Sequence, residues 1–397
     1  MSIFLERISN FMSGPSFTLL FFLLIIWVVG MLFKRIGLPI MLGEMLAGLI
    51  LGPPLLNIIQ ADIHIEWLAD LGIFFLMFFT GMEVDLNKLT KQLKNALLIA
   101  FGGTIGPFIL GYFITTYFGG SVIQGLFIGM AISVTSIATK ARILHELGLL
   151  KKKVGTVMVS AALYDNIFSM ILFAVIVSIA KIGKVDFGSL TITLLGIIVF
   201  FSVTVPFGYY MFPKLKTFFS HKGGSGFTFS LMVALIFGFF AEVVGLHFII
   251  GVFMAGIFVR DEIMESTDLY KKLFDTMYVI SYGFLGPIFF LTLSFHVDLN
   301  ILFTVDFLFL VILTIGAIVG KVFGAALFAK LTGFSNRDSL IIGLGMNGRG
   351  MVEIVLVVIG MELGILSDNY VSILVFMAMA TTLITPLGLK LIAKKKE

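Results

Sequence analysis

The chain has 397 residues, 59% of them hydrophobic and only 13% charged, with no cysteine and a net charge of +4. A water-soluble protein of this size needs far more polar surface, and the lack of cysteine excludes disulfides, thiolate metal sites and cysteine nucleophiles. The small positive balance comes from short clusters between apolar runs, which is a topology signal and no nucleic-acid footprint.

Apolar runs of about 18–25 residues match the length of a spanning helix, whereas a membrane barrel would show short alternating segments. Glycine, proline and charge clusters divide the chain into thirteen predicted spans: 16–33, 38–58, 67–84, 95–118, 121–144, 154–179, 188–212, 226–243, 245–259, 275–298, 303–329, 338–361 and 369–390. The expected fold class is therefore an all-α polytopic membrane protein. Nine residues precede the first span's flank and no small-residue cleavage site follows it, so that span is expected to be retained. Alternate connections hold Lys34/Arg35, Lys88/Lys91/Lys94, Lys151–Lys153, Lys214/Lys216/Lys222, Arg260/Lys271/Lys272, Lys330/Arg337 and, at the end, Lys390 and Lys394–Lys396. These are twenty basic residues, against three (Arg7, Lys181, Lys184) in the other set. The asymmetry supports an odd number of crossings and predicts a plasma-membrane protein with its N-terminus outside and its C-terminus cytoplasmic.

Short similarities recur at an offset of about 208–214 residues. Gly43–Gly48 matches Gly251–Gly256, Val84-Asp85-Leu86 matches Val297-Asp298-Leu299, Thr104–Pro107 aligns with Ile318–Lys321, and Leu126–Gly129 matches Leu340–Gly343. The reading is one transmembrane domain of two six-span repeats, about 16–180 and 226–390, joined by a linker helix at about 188–212. An odd linker span inverts the second repeat, a pattern many secondary transporters use to alternate access around a midplane site.

The residues that carry chemistry lie inside the spans. The run from Val157 to Phe173 is long enough to cross a bilayer, yet holds Asp165 and Asn166 at its middle. A carboxylate there costs at least about 2.5–3.5 kcal/mol, so an ion-binding or proton-carrying role is expected; the alternative is a protonated or lysine-paired structural acid. Lys321, flanked by Gly320 and Gly324, is too central to snorkel to an interface and needs a counter-charge, for which Asp165 is the candidate. Opening of that pair when Asp165 takes a cation or proton would couple two ions by competition; a permanent structural pair is the alternative.

Corresponding spans 5 and 12 are both interrupted, by Ser133, Thr135, Ser136 and Thr139 in one and by Gly345, Asn347, Gly348 and Gly350 in the other. Such clusters point to broken helices whose free backbone ends can ligate ions, although tight packing also uses these residues. Ser133, Thr135, Ser136, Asn166 and Asn347 are the candidate oxygen donors for a monovalent cation at Asp165. Arg349 and Glu353, four residues apart, share a face and read first as a structural ion pair; a break would free Arg349 to hold helix ends or another acid. Glu44 and Glu242 read as satisfied helix-contact acids. Thr80, Glu83 and Asp85, and His296 with Asp298, fall at interfaces where solvation explains them.

Together the stretches Leu38–Pro53, Thr80–Leu86, Gly251–Gly256, Pro287–Phe290, Gly345–Ile354 and Thr381–Pro386 resemble the monovalent cation:proton antiporters, in the branch of Kef-type and NapA-like exchangers. Met346-Asn347-Gly348-Arg349-Gly350-Met351-Val352-Glu353-Ile354 is the most specific of them. The resemblance implies crossed broken helices, carried onto spans 5 and 12, and a homodimer with a dimerisation domain and a mobile, elevator-like core. It also implies that Asp165 occupies the first position of the family's acidic pair and that Lys321 is the core lysine. One departure stands out. The family usually places its ion-binding acid second, and here Asn166 fills that position: either Asp165 serves both ions with Asn166 as a neutral oxygen ligand, which favours one-for-one exchange through a single titrating carboxylate, or the coupling chemistry is altered.

No cofactor is expected, the partners being monovalent cations, protons and lipid, and no cytosolic nucleotide-binding domain is expected after the last span. A passive Kef-like K⁺ or cation pathway without proton coupling is the alternative function. An organic-anion symporter would use Lys321 and Arg349 as anion ligands. No assembled nucleophile or metal constellation supports an enzyme.

Overall fold

The computed structural model describes residues 15–36, 40–84, 93–135, 144, 152–182, 195–196, 198–208, 210, 214, 225–244, 246–263, 267–304, 306–349 and 351–393. Every regular element among them is helical. In order these are α1 (Pro15–Arg35), α2 (Ile40–Leu51), α3 (Ile63–Glu83), α4 (Leu93–Tyr117) and α5 (Val122–Ala131). After them come α6 (Lys153–Ile182), α7 (Ile198–Gly208), α8 (Ser225–Val243), α9 (Phe248–Ile263) and α10 (Thr267–Ile280). A π-helical turn, Ser281–Leu285, leads into α11 (Gly286–Leu293), and α12 (Asp306–Leu331), α13 (Asn336–Met346), α14 (Met351–Glu362) and α15 (Asp368–Ala393) complete the chain.

Eight helical stretches among the described residues are long and apolar enough to cross a membrane, and α2, α5, α7 and α9 are shorter apolar helices. Apolar residues surround most of these helices, as expected where one side faces packed protein and the other faces lipid. Trp27, Phe113, Phe239 and Phe323 are large side chains left exposed on such outer faces. Polar residues instead mark the ends. Asp62 caps α3 by accepting from the His64 and Ile65 amides at 3.0 and 2.9 Å, and Ser121 with Gln124 forms a reciprocal capping box on α5.

The centre of the bundle is the crossing of α4 with α12. A side chain at Gly106 would strike the Gly320 carbonyl, one at Gly102 the Gly324 carbonyl, and one at Gly316 the Ile114 side chain. These contacts run in opposite sequence order, so the two helices are antiparallel and their backbones nearly touch. That close approach brings Thr104 of α4 and Lys321 of α12 to the same level. Helices α5, α6 and α13 pack around the pair.

A second set of close contacts lies further out. Gly48 of α2 abuts the Leu291 carbonyl and Ser294, while Gly256 of α9 abuts the Phe78 carbonyl and Gly81 of α3. The π-turn sits beside α3, where Ser281 Oγ donates to the Phe75 carbonyl at 3.0 Å.

Candidate functional site

Asp165 lies in the middle of α6 and is fully buried. Three elements converge on its carboxylate. Thr104 Oγ1 of α4 donates to Oδ1 at 2.6 Å, Thr135 Oγ1, just past α5, donates to Oδ2, and Lys321 Nζ of α12 lies 2.9 Å from both oxygens. A charge is tolerated at such depth only when it is paired and hydrogen-bonded, and this one is both. Ser169, one turn along α6, returns its hydroxyl to the Asp165 carbonyl at 2.8 Å and adds nothing to the carboxylate.

The reason these groups meet is that two helices stop here. α5 ends at Ala131, and its backbone curls through Ile132, Ser133 and Val134 with amides bonded to Ile128, Met130 and Ala131. The last carbonyls of a helix have no intrahelical partner and carry the negative end of the helix dipole. Two buried cations complete them. Lys321 Nζ donates to the Ser133 carbonyl, and Arg349 Nη1 donates to the Ile132 carbonyl, with the Val134 carbonyl at 3.4 Å. Lys321 thereby spends all three ammonium donors on oxygen.

The second stop is α13, which ends at Met346 with Asn347 as its cap. Thr135 Oγ1 is 3.3 Å from the Met346 carbonyl. Its single proton therefore has two acceptors, that carbonyl and Asp165. Arg349 lies between α13 and α14, and Glu353 in the first turn of α14 is 3.5 Å from it. The cluster thus holds two cations and two carboxylates, all fully buried.

The structure distributes the residues marked in the sequence unevenly. Asp165, Thr135, Lys321, Arg349 and Glu353 belong to one connected cluster. Ser133 enters by its carbonyl, since its hydroxyl donates to Met130 at 2.7 Å and so is no free ligand in this conformation. Asn166 is buried beside Asp165, its side-chain oxygen without a partner among the described residues. Asn347 donates to Thr385 Oγ1 on α15 at 3.1 Å, and its side-chain oxygen likewise has no partner among the described residues. Ser136 falls outside the described residues, as does Asp85. Glu242 is exposed at the end of α8, and Asp298 caps the next turn through the Asn300 amide at 2.9 Å. Glu44, expected to be a satisfied contact, is buried with no hydrogen bond or ion pair among the described residues.

Thr104 was not marked as a ligand at all. Its only signal is a hydroxyl in the middle of a span, one residue from the Ile105-Gly106-Pro107 stretch at which α12 approaches. Thr104→Val removes a donor of nearly the same volume from a charged acceptor, an interaction of about 1.5–3 kcal/mol. The expected result is a rise on the order of tenfold in the cation concentration giving half-maximal exchange, with wild-type thermal stability nearly kept. Flux titrations in liposomes check it, and an unchanged half-maximal concentration would remove Thr104 from the site.

The family described as sodium/hydrogen exchanger, transmembrane, matches residues 19–395. Among relatives, the Na⁺/H⁺-K⁺ antiporter GerN of Bacillus cereus is 30% identical over 365 residues, covering 91% of this chain and 92% of the relative. A Na⁺/H⁺ antiporter of Enterococcus hirae is 28% identical over 364 residues, covering 91% and 94%. The structure of the sodium proton antiporter MjNhaP1 from Methanocaldococcus jannaschii at pH 8 superposes with a TM-score of 0.76 at 16% identity, covering 94% of this chain and 95% of that one.

Proposed function

The chain belongs to the sodium/hydrogen exchanger family, and on that premise we propose that it is a secondary antiporter exchanging Na⁺ or K⁺ for H⁺ through Asp165. The observation that carries the reading is the Asp165 carboxylate, buried where two helices stop and held by Lys321, Thr104 and Thr135. A hard monovalent cation takes oxygen ligands. Asp165, the two threonine hydroxyls and the unpartnered Asn166 oxygen supply that chemistry, together with the Ser133 carbonyl once Lys321 withdraws from it. Asn347 and Ser136 complete the candidate donor set.

The coupling is competition for one carboxylate. A cation on Asp165 displaces Lys321, and a proton on Asp165 weakens its hold on both the cation and Lys321. Arg349 and Glu353 stay paired and hold the helix ends in place through the Ile132 and Val134 carbonyls. With one titrating carboxylate in the exchange and neutral Asn166 next to it, the expected stoichiometry is one cation for one proton.

Matching contacts support the two-repeat organisation. Gly48 meets Leu291 and Ser294 as Gly256 meets Phe78 and Gly81, the equivalent residues being offset by 208 in one helix pair and 213 in the other. The α4–α12 crossing centres on Gly106 and Gly320, equivalent at an offset of 214. In this reading thirteen spans, counting α10 with α11 as one and α13 with α14 as one crossed broken helix, form inverted repeats around Asp165. Helices α4–α6 and α12–α15, which pack mainly on one another, move as an elevator against α1–α3 and α7–α11. The protein is then a plasma-membrane homodimer, N-terminus outside and C-terminus cytoplasmic.

The test is cation-driven proton flux in liposomes carrying the purified protein, read by an internal pH dye with Na⁺, K⁺ and Li⁺ in turn. Flux that follows one cation and runs in both directions supports antiport and names the ion. Dissipation of a cation gradient with no proton movement would replace antiport by a passive pathway.

A further inference from the structure

The stretch Thr381–Pro386 belongs to the sequence pattern but has no part in the exchange reaction above. It lies on α15, where Thr381 and Thr385 are both buried. Each hydroxyl gives its proton to its own helix: Thr381 Oγ1 donates to the Met377 carbonyl at 2.9 Å, and Thr385 Oγ1 donates to the Thr381 carbonyl at 2.9 Å. A hydroxyl has one proton and two lone pairs, so Thr385 is left with nothing but an acceptor to offer a neighbour.

That neighbour is Asn347, the cap of α13, whose Nδ2 donates to Thr385 Oγ1 at 3.1 Å. Among the described residues its side chain has no other hydrogen bond. Thr385 therefore decides which way the amide lies. Turned over, the amide would set Oδ1 against an oxygen with no proton to give. As it stands, Oδ1 is on the branch directed away from Thr385, buried and without a partner among the described residues.

The surroundings of Asn347 belong to the exchange site. The Met346 carbonyl, one residue earlier, is 3.3 Å from Thr135 Oγ1, which donates to Asp165. A side chain at Gly345 would strike Met158, two turns before Asp165 on the same face of α6, and would also meet Leu389 of α15. Asn347 thus stands where α6, α13 and α15 meet, beside the carboxylate cluster.

We propose that Thr385 is a positioning residue for cation binding. By taking the Asn347 NH2 group it keeps the Asn347 oxygen, and not two N–H donors, turned to a cation at Asp165. A hard cation is held by oxygen, and the reversed amide would face it with the positive ends of N–H dipoles. Thr385 itself touches no ion. The assignment deepens the antiport reading and rests on Asn347 being one of the donors in that reading.

The first test is the cation concentration giving half-maximal exchange by the full-length protein in liposomes. Valine keeps the shape of Thr385 and removes the acceptor, which frees the amide to turn over; serine keeps the acceptor. Thr385→Val is expected to raise the half-maximal concentration about three- to tenfold, the span of one hydrogen bond's net contribution, with the maximal rate nearly kept. Thr385→Ser is expected to restore the wild-type value. A wild-type value in Thr385→Val, or a loss in Thr385→Ser as large as in Thr385→Val, would overturn the proposal. Asn347→Ala leaves no amide to turn, so adding Thr385→Val to it is expected to change nothing, and a further rise would also overturn the proposal. Should the valine variant not fold, Thr385→Ala is read by the same criteria; failure of both to fold would make Thr385 structural and overturn it. The second test needs no flux: the rise in thermal midpoint of the purified protein as cation is added. That titration is expected to move to higher cation concentration in Thr385→Val by the same factor. Absence of cation-driven proton flux in wild type would remove the antiport reading, and the thermal titration would still decide Thr385. A wild type that no cation stabilises, or a titration that the variant leaves in place, would overturn its assignment.

Discussion

Asp165→Asn is expected to bring cation-driven proton flux down to that of empty liposomes, for every cation the wild type accepts. Asparagine keeps the size of the side chain and an oxygen for the Thr104 and Thr135 hydroxyls, but it binds no proton and offers a cation no charge. Its effect on the fold is a separate matter, because it leaves Lys321 fully buried without its carboxylate. Removing one partner of a buried pair costs about 3–5 kcal/mol, whereas replacing both with apolar groups is often neutral. Asp165→Asn combined with Lys321→Met is therefore expected to regain thermal stability and still carry no flux. That combination separates the two roles an intramembrane acid can have. Flux in the single variant equal to wild type would make Asp165 a structural acid, and the exchange site would have to include Glu353.

Much of this was legible before any coordinates, for a physical reason. Charges inside apolar runs are costly, so Asp165, Lys321, Arg349 and Glu353 stand out from the residues around them. Broken helices also leave a trace, because Asn347, Gly348 and Gly350 interrupt a span that is otherwise apolar. What stayed hidden was made by tertiary packing. Thr104 reaches Asp165 because α4 crosses α12 at glycines close enough for backbone contact, and a threonine in a span is otherwise unremarked. The acceptors of Arg349 are carbonyls 215 and 217 positions away in sequence, and carbonyls have no sequence signal. Ser133 shows the same limit from the other side: its type suggested a hydroxyl ligand, while the end of α5 presents its carbonyl instead. Glu44 reads as a partnered acid in a helix contact, yet it is buried with no hydrogen bond or ion pair among the described residues.

Arg349 is expected to be the residue whose loss damages stability most. Its guanidinium bridges two chain segments, holding the Ile132 and Val134 carbonyls at the end of α5 and the Glu353 carboxylate at the start of α14. Arg349→Leu strips all of these at once. The carbonyls lose a charged donor at the negative end of a helix, and Glu353 becomes a buried carboxylate with no cation beside it on its own helix face. The expected cost is about 3–5 kcal/mol for the unpaired charge alone, read as a lower thermal midpoint of the purified protein and reduced yield of folded protein. Adding Glu353→Leu removes that charge but not the exposed carbonyl ends, so the double variant should recover part of the loss and not all of it. A double-variant cycle measures the split: the recovered part is the ion pair, and the remainder is the bridge to α5. Full recovery would mean that Arg349 serves only to neutralise Glu353. No recovery would mean that the bridge between the two helix breaks is the whole of its contribution, and that Glu353 holds its place beside the exchange site without it.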